Sequence, residues 1–339
     1  MKALVCREDG FAKSMPDSAV LSDLGRFVEA REIDRPVPGA GEALIEVELA
    51  SVNPSDEMFV QGLYGQPRRK GVPAGFEGVG RVVEVGSGLM GRWLKGKRVA
   101  FFARDSGSWA DYALTGQAFC VPVSADLRDV DAAGFLVNPM TAYAMLGEVK
   151  GQSFVMSAAG SQLGKFMSSL ARDRDMRPIG LVRRAEQIEP LKRLGAAEVL
   201  DTTADDYAER LRAVMREHKP RTFLDAVTGP DAKHVFDAMP DRAEWIVYGR
   251  LAAEPAVFDN PETLIFRRKR IRGFWLSDWF ARASLVAKAR GTREVQRRFL
   301  SGDWETDVTA VVPLDAAIAR VGDELAKPDG KVFIRPNGA

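Results

Sequence analysis

Short apolar runs alternate with helix-like segments from about residue 150 to 275, and this alternation constrains the fold more than any other feature of the chain. The runs cover residues 153–157, 178–182, 198–201, 222–227, 245–249 and 271–275. Between them, residues 163–172, 185–194 and 207–217 carry apolar side chains at helical spacing. A further helical pattern precedes them at 131–146. Strand and helix in strict alternation predict a parallel sheet with right-handed crossovers, an α/β architecture wound on both faces.

The chain before residue 126 has another texture. Residues 1–5, 43–49, 78–85 and 97–102 read as strands, with Gly and Pro at 36–39, 86–88 and 96 as punctuation. A compact, bent sheet or barrel is expected. The last sixty or so residues return to mixed texture and end in a strand at 331–334. A length of 339 residues accommodates two domains, each with its own core.

Lys and Arg number 48 against 47 Asp and Glu, a net charge of +1, which argues against nucleic acid as a partner. No apolar run approaches the roughly 20 residues that span a bilayer, and residues 1–10 lack the basic-then-apolar order of a secretory signal. A cytoplasmic location is the expectation. The two cysteines, Cys6 and Cys120, are far apart and read as buried free thiols. With two histidines, His218 and His234, and no C-x-x-C pair, the chain offers no metal-ligand cluster. His218 reads as a solvated residue in a polar helix and His234 as structural on a helix face.

The turn after the run ending at Ser157 is the place to seek a phosphate cradle, because glycines there let the backbone approach a pyrophosphate seated on a helix N-terminus. Gly160, Ser161, Gln162, Leu163 and Gly164 form this turn and helix start. Gln162 stands where the second glycine of G-x-G-x-x-G would lie, so the full fingerprint is absent. The next strand runs into Arg183 and Arg184 instead of an acidic residue. Two guanidinium groups suit the dianionic 2′-phosphate of NADP, whereas NAD calls for a carboxylate on its ribose hydroxyls. NADPH is therefore the expected cofactor. Two basic runs are read as solvated: 68–70, with phosphates of coenzyme A or an acyl carrier protein as the alternative, and 267–270.

Three segments carry a family resemblance: 51–56 (SVNPSD), 75–80 (GFEGVG) and 137–143 (VNPMTAY). They resemble signature segments of the medium-chain dehydrogenase/reductase superfamily. In its zinc branch a Cys, a His and a Cys bind the metal at positions that here read Asn53, Phe76 and Asn138. The chain therefore resembles the zinc-free branches. Of these, the 2-enoyl thioester reductases share the Gln-Gly-x-Tyr-Gly segment at 61–65 and Phe-Trp-Leu-Ser-x-Trp at 274–279. The quinone oxidoreductases share the general layout and the last strand.

The resemblance implies a GroES-like, bent β-barrel catalytic domain over 1–127 and 276–339, and a Rossmann-type cofactor domain over 128–275. It implies hydride delivery to the β-carbon of an α,β-unsaturated thioester, with a quinone or simple enone as the other substrate class, and assembly as a homodimer. Tyr64 would be the active-site tyrosine. A phenol, with an ordinary pKa of about 10, is a neutral donor for the developing enolate. Asn53, Asn138 and Trp275 would line the substrate pocket, and Thr141 would sit near the nicotinamide. A nucleotide-binding regulatory or structural protein that kept the fold without turnover is the reading from another class.

Overall fold

The computed structural model describes residues 1–13, 21–103, 106–327 and 330–336. The chain divides into two compact units, 1–137 with 292–339, and 138–291.

The first unit holds β1 (Lys2–Cys6), β2 (Val28–Glu32), β3 (Glu42–Val52), β4 (Glu77–Val85), β5 (Arg98–Phe102), β6 (Tyr112–Gly116) and β7 (Cys120–Pro122). The second holds β8 (Ser153–Met156), β9 (Arg177–Val182), β10 (Glu198–Asp201), β11 (Thr222–Asp225), β12 (Glu244–Val247) and β13 (Arg270–Gly273). The chain then returns to the first unit with β14 (Val308–Pro313) and β15 (Lys331–Arg335).

In the first unit, β1 pairs with β2, and a seven-stranded sheet runs β14-β15-β3-β4-β5-β7, with β6 also on β3. Its pairs are antiparallel except β14 with β15. β3 is the hinge of this arrangement: its eleven residues meet β4, β6 and β15, and its register against β4 shifts at Leu44/Ile45 and Val47/Leu49. Such shifts bend a strand and let one long element serve several partners. Gly80 on β4 is required where the sheet closes up, since a Cβ there would lie 2.1 Å from the Glu46 carbonyl oxygen. The core between these strands includes Leu4, Ile45, Val47, Val99, Phe101 and Trp109.

The second unit is a six-stranded parallel sheet in the order β10-β9-β8-β11-β12-β13, the doubly wound order in which the chain reverses direction between β8 and β11. Its strands are short, and β8, β9 and β11 are almost wholly buried, which explains the unbroken apolar runs in the sequence. The helix Gln162–Arg172 packs back on β9 through a close approach. A Cβ on Gly164 would sit 2.2 Å from the Ala159 carbonyl oxygen, and one on Gly180 would sit 2.9 Å from Ala159 Cβ.

Three expectations are corrected. The unit boundaries lie at 137/138 and 291/292, later than 127/128 and 275/276. The helix Asp129–Ala133 belongs to the first unit because Arg98 pairs with Asp129 at 2.7 Å and Thr306 N–H donates to Asp131. Residues 276–291 belong to the second because Trp279 meets the Tyr143 ring edge-on and Gly291 abuts Met140 and Tyr143. The pattern at 131–146 is two helices, Asp129–Ala133 and Val137–Leu146, broken at Gly134. His218 is half-buried, with a side chain 11% exposed and no hydrogen-bond partner for Nε2 among the described residues.

The basic runs are also only partly solvated. Arg68 is buried and donates to the carbonyls of Gly10 and Val60 while pairing with Glu8. Lys269 is buried against the Phe236 and Asp237 carbonyls, and that burial, with Arg267 nearby, brings its pKa down to about 8. Cys6 and Cys120 are free and buried, and burial pushes their thiols up to about 11 and about 12. No helix among the described residues is long and apolar enough to cross a membrane.

Candidate active site and cofactor turn

In the first unit, the end of β3 and the start of β4 bring Ser51, Asn53 and Glu77 together. Glu77 Oε1 accepts hydrogen bonds from Ser51 Oγ (2.8 Å), Asn53 Nδ2 (2.9 Å) and Lys331 Nζ (3.2 Å). Its Oε2 accepts from the backbone N–H groups of Leu136 (3.0 Å) and Val137 (2.8 Å). These last two bonds explain the helix break at Gly134: the carboxylate supplies the acceptor that the first N–H groups of the helix Val137–Leu146 would otherwise lack. A Cβ at Gly134 would sit 3.2 Å from Lys331 Nζ, so the break also leaves room for the ammonium.

Ser51, Asn53, Glu77 and Lys331 are 0%, 1%, 1% and 6% exposed, so the pair is a buried one with its hydrogen-bonding capacity used. A buried ion pair holds only when its lone pairs and protons are satisfied in this way. Asn53 spends its amide N–H groups on Glu77 and on Ser51 Oγ (2.9 Å). Its Oδ1 has no hydrogen-bond partner among the described residues.

Pro54 opens the helix Pro54–Val60, where a missing N–H costs nothing. Asp56 reaches back to accept from Asn53 N–H (2.8 Å) and from Phe76 N–H (2.8 Å), fixing two of the three positions at which the zinc branch carries ligands. Burial pushes the Asp56 carboxyl up to about 7, and nearby Glu77 adds to this, against the opposing effect of the two backbone donors.

Tyr64 lies in the turn after this helix. Gly62, at φ +76°, sets the turn, and a Cβ there would press on the Arg68 guanidinium at 2.8 Å. The half-buried Tyr64 ring packs on Phe76, with centroids 5.0 Å apart. Phe76 also meets Phe59 at 5.0 Å and stacks on Phe102 at 5.9 Å. The position that is a histidine in the zinc branch is therefore the centre of an aromatic cluster. Beside it is a shallow recess with a cavity volume of about 30 Å³, bordered by Phe76, Phe59, Gln66 and Arg69; Tyr64 does not line it. Among the described residues, no group of three or more His, Cys, Asp or Glu side chains is gathered where it could hold a metal ion.

In the second unit, β8 ends at Met156 and the backbone turns through Ala158, at φ +49°, into the helix Gln162–Arg172. Ser161 is the N-cap, accepting from Gly164 N–H at 3.2 Å. Behind the turn, Ser157 Oγ donates to Asp225 Oδ1 (2.6 Å) and accepts from Ala226 and Val227 N–H, while Trp245 Nε1 donates to Asp225 Oδ2 (2.9 Å). This clamp ties the ends of β8 and β11 together at the point where strand order reverses, the usual ligand crevice of such sheets.

Arg183 and Arg184 follow β9, whose end lies next to that of β8. Arg183 is exposed, with no hydrogen-bond or ion-pair partner among the described residues. Arg184 faces Glu186 at 3.5 Å. The positive end of the helix dipole, a glycine turn and an unpaired guanidinium are the parts a dinucleotide with an extra phosphate requires, and the residues fit it. Gln162 and Leu163 stand in the first turn of that helix. Thr141 is buried and Asn138 half-buried in the helix Val137–Leu146, and Trp275 is 39% exposed before the helix Leu276–Arg282.

The sequence reading missed Ser51, Glu77, Lys331, Ser157 and Asp225. A lone acid inside the apolar stretch at 74–79 was the available signal for Glu77.

A bent, mixed β unit and a six-stranded, doubly wound parallel unit with a glycine turn at its reversal point define a pyridine-nucleotide oxidoreductase architecture. Family models agree: the alcohol dehydrogenase GroES-like domain matches residues 39–125 and the zinc-binding dehydrogenase model matches residues 163–289. The chain belongs to the medium-chain dehydrogenase/reductase superfamily, a family of oxidoreductases. It is similar to the mitochondrial enoyl-[acyl-carrier-protein] reductase of Dictyostelium discoideum, 30% identical over 247 residues and 70% of each chain. The Arabidopsis thaliana counterpart is 30% identical over 95% of this chain and 86% of its own length. Among solved structures, a candidate NADPH:quinone reductase from Mesorhizobium loti is 49% identical, with a TM-score of 0.94 over 99% of this chain and 98% of that one.

Proposed function

We propose that the protein is an NADPH-dependent reductase of carbon–carbon double bonds conjugated to a carbonyl, with an enoyl thioester as substrate. The observation that carries this reading is the pairing of Tyr64 with Phe76: a phenol is held beside the aromatic residue that stands at a ligand position of the zinc branch. The similarity to enoyl-[acyl-carrier-protein] reductases supports the thioester. The likeness to the Mesorhizobium loti protein favours a quinone as the second reading.

When bound, the reduced nicotinamide supplies a hydride to the β-carbon of the alkene. Negative charge then gathers on the carbonyl oxygen, and the α-carbon must gain a proton. Tyr64 donates a hydrogen bond to that oxygen or relays the proton. Glu77 and Ser51 hold the Asn53 amide through its N–H groups. Asp56 holds the backbone of Asn53 and Phe76 in place. In the second unit, Gly160 to Gly164 receive the pyrophosphate, Arg183 and Arg184 the 2′-phosphate. Thr141, Asn138 and Trp275 complete the nicotinamide and substrate surroundings.

NADPH oxidation measured with crotonyl-CoA, 1,4-naphthoquinone and a simple enone tests this. Fastest turnover with crotonyl-CoA supports the thioester. Fastest turnover with the quinone transfers the assignment to the second reading, and tight NADPH binding without turnover on any of the three would indicate a non-catalytic nucleotide-binding protein.

Assembly as a homodimer belongs to the same reading. β13 is an edge strand, and Ile265 and Phe266 just before it are 66% and 77% exposed. An uncovered edge beside apolar side chains is a template for pairing with a second copy. Light scattering that finds a monomer would exclude it.

A further inference from the structure

Gly160 lies in the turn between β8 and its helix, and what sits over it is a side chain from the arginine segment. A Cβ built on Gly160 would lie 2.3 Å from Gln187 Nε2, 2.5 Å from its Cδ and 2.8 Å from its Oε1. The Gln187 amide therefore rests on the glycine that the turn leaves bare. The backbone brings it there: Gln187 N–H donates to the Arg184 carbonyl at 3.1 Å, closing a short 3-10 turn over 185–187 that folds the side chain back from the end of β9 toward the end of β8. Gln187 is half-buried, and its amide lies between the phosphate turn and the arginines.

Charge accounting says why such a group matters. A 2′-phosphate carries close to two negative charges and three acceptor oxygens. Of the two guanidinium groups after β9, that of Arg184 already faces Glu186 at 3.5 Å. One unengaged guanidinium, Arg183, leaves a dianion under-supplied with donors, and a neutral amide can fill the gap where a carboxylate cannot. Resting on the NADPH reading above, we infer that Gln187 is a specificity-determining residue of the cofactor site, its amide N–H donating to the 2′-phosphate alongside Arg183. Gly160 is then constrained by the space Gln187 occupies.

Calorimetric titration with 2′,5′-ADP and with 5′-ADP, which lacks the 2′-phosphate, tests this without any turnover. Wild type is expected to prefer 2′,5′-ADP. Gln187→Glu keeps the shape and replaces a donor by a like charge, so 2′,5′-ADP should weaken by about tenfold or more while 5′-ADP changes by less than about twofold. Gln187→Ala, which adds no charge, should weaken 2′,5′-ADP by about three- to tenfold, and it carries the test if thermal melting shows the Glu variant to be unfolded. Equal losses for both probes would mean that Gln187 only shapes the turn, and the inference fails. Unchanged preference in both variants, with Arg183→Ala abolishing it, overturns the role of Gln187 and leaves the NADPH reading standing. Wild type without preference removes both.

Discussion

The two units treat their polar groups in opposite ways. Under β3 and β4, Glu77 is closed in by five donors, and the Asn53 amide nitrogen is spent on the same cluster. At the end of the parallel sheet, Arg183 is left with nothing to bind among the described residues, and the Gln187 amide lies over Gly160. The first arrangement closes a buried charge in with donors. The second leaves a cation exposed, which on the proposed reading serves a ligand. A polar cluster is thus read by what it leaves unpaired more than by how many polar residues it contains.

This contrast is open to direct attack. Glu77→Gln should have the largest effect, because it strands the Lys331 ammonium and turns amide hydrogens toward backbone donors. A loss of about 3–5 kcal/mol in denaturant unfolding is expected, and Glu77→Gln with Lys331→Met should recover part of it. A wild-type stability for the single variant would show that the cluster is not structural. Tyr64→Phe comes next: turnover should fall by about a hundredfold, while NADPH binding, followed by fluorescence, stays within about twofold. Arg183→Ala with Arg184→Ala should weaken NADPH by about ten- to thirtyfold and NADH hardly at all, measured by the same titration. Equal losses would show that the arginines do not discriminate.

A further test of the same buried region concerns pH. The Asp56 carboxyl is raised in the folded state to about 7, so folding favours its protonated form. That contribution is complete below the unfolded pKa near 4 and is lost as pH climbs through 7, with a slope of at most about 1.4 kcal/mol per pH unit. Asp56→Asn should flatten the stability profile between pH 4 and 7. A profile parallel to wild type would place the titration elsewhere.

The second unit was legible because its signals are local. Each buried strand is a contiguous apolar run, and the reversal point follows from strand order, so the glycine turn and Arg183 could be placed from sequence alone. The Glu77 cluster was not legible, because its members come from positions 51, 53, 77, 136, 137 and 331, and no periodicity links them. The same holds for Arg68, which reads as one cation in a basic run until the Gly10 and Val60 carbonyls are seen around it. The helical pattern at 131–146 misled for a related reason: a side chain fifty-odd residues upstream decides where that helix stops and restarts. Gln187 carried no signal beyond its closeness to the arginines.

β15 lies between β14 and β3, and Lys331 meets a carboxylate 254 positions earlier in the chain. On the ribosome, the parallel sheet can therefore be finished while the sheet that precedes it in sequence still waits with a gap at β3 and an unneutralised acid beneath it. Premature release before that last lysine emerges would leave a nascent protein with an open strand edge, the state from which misassembly starts.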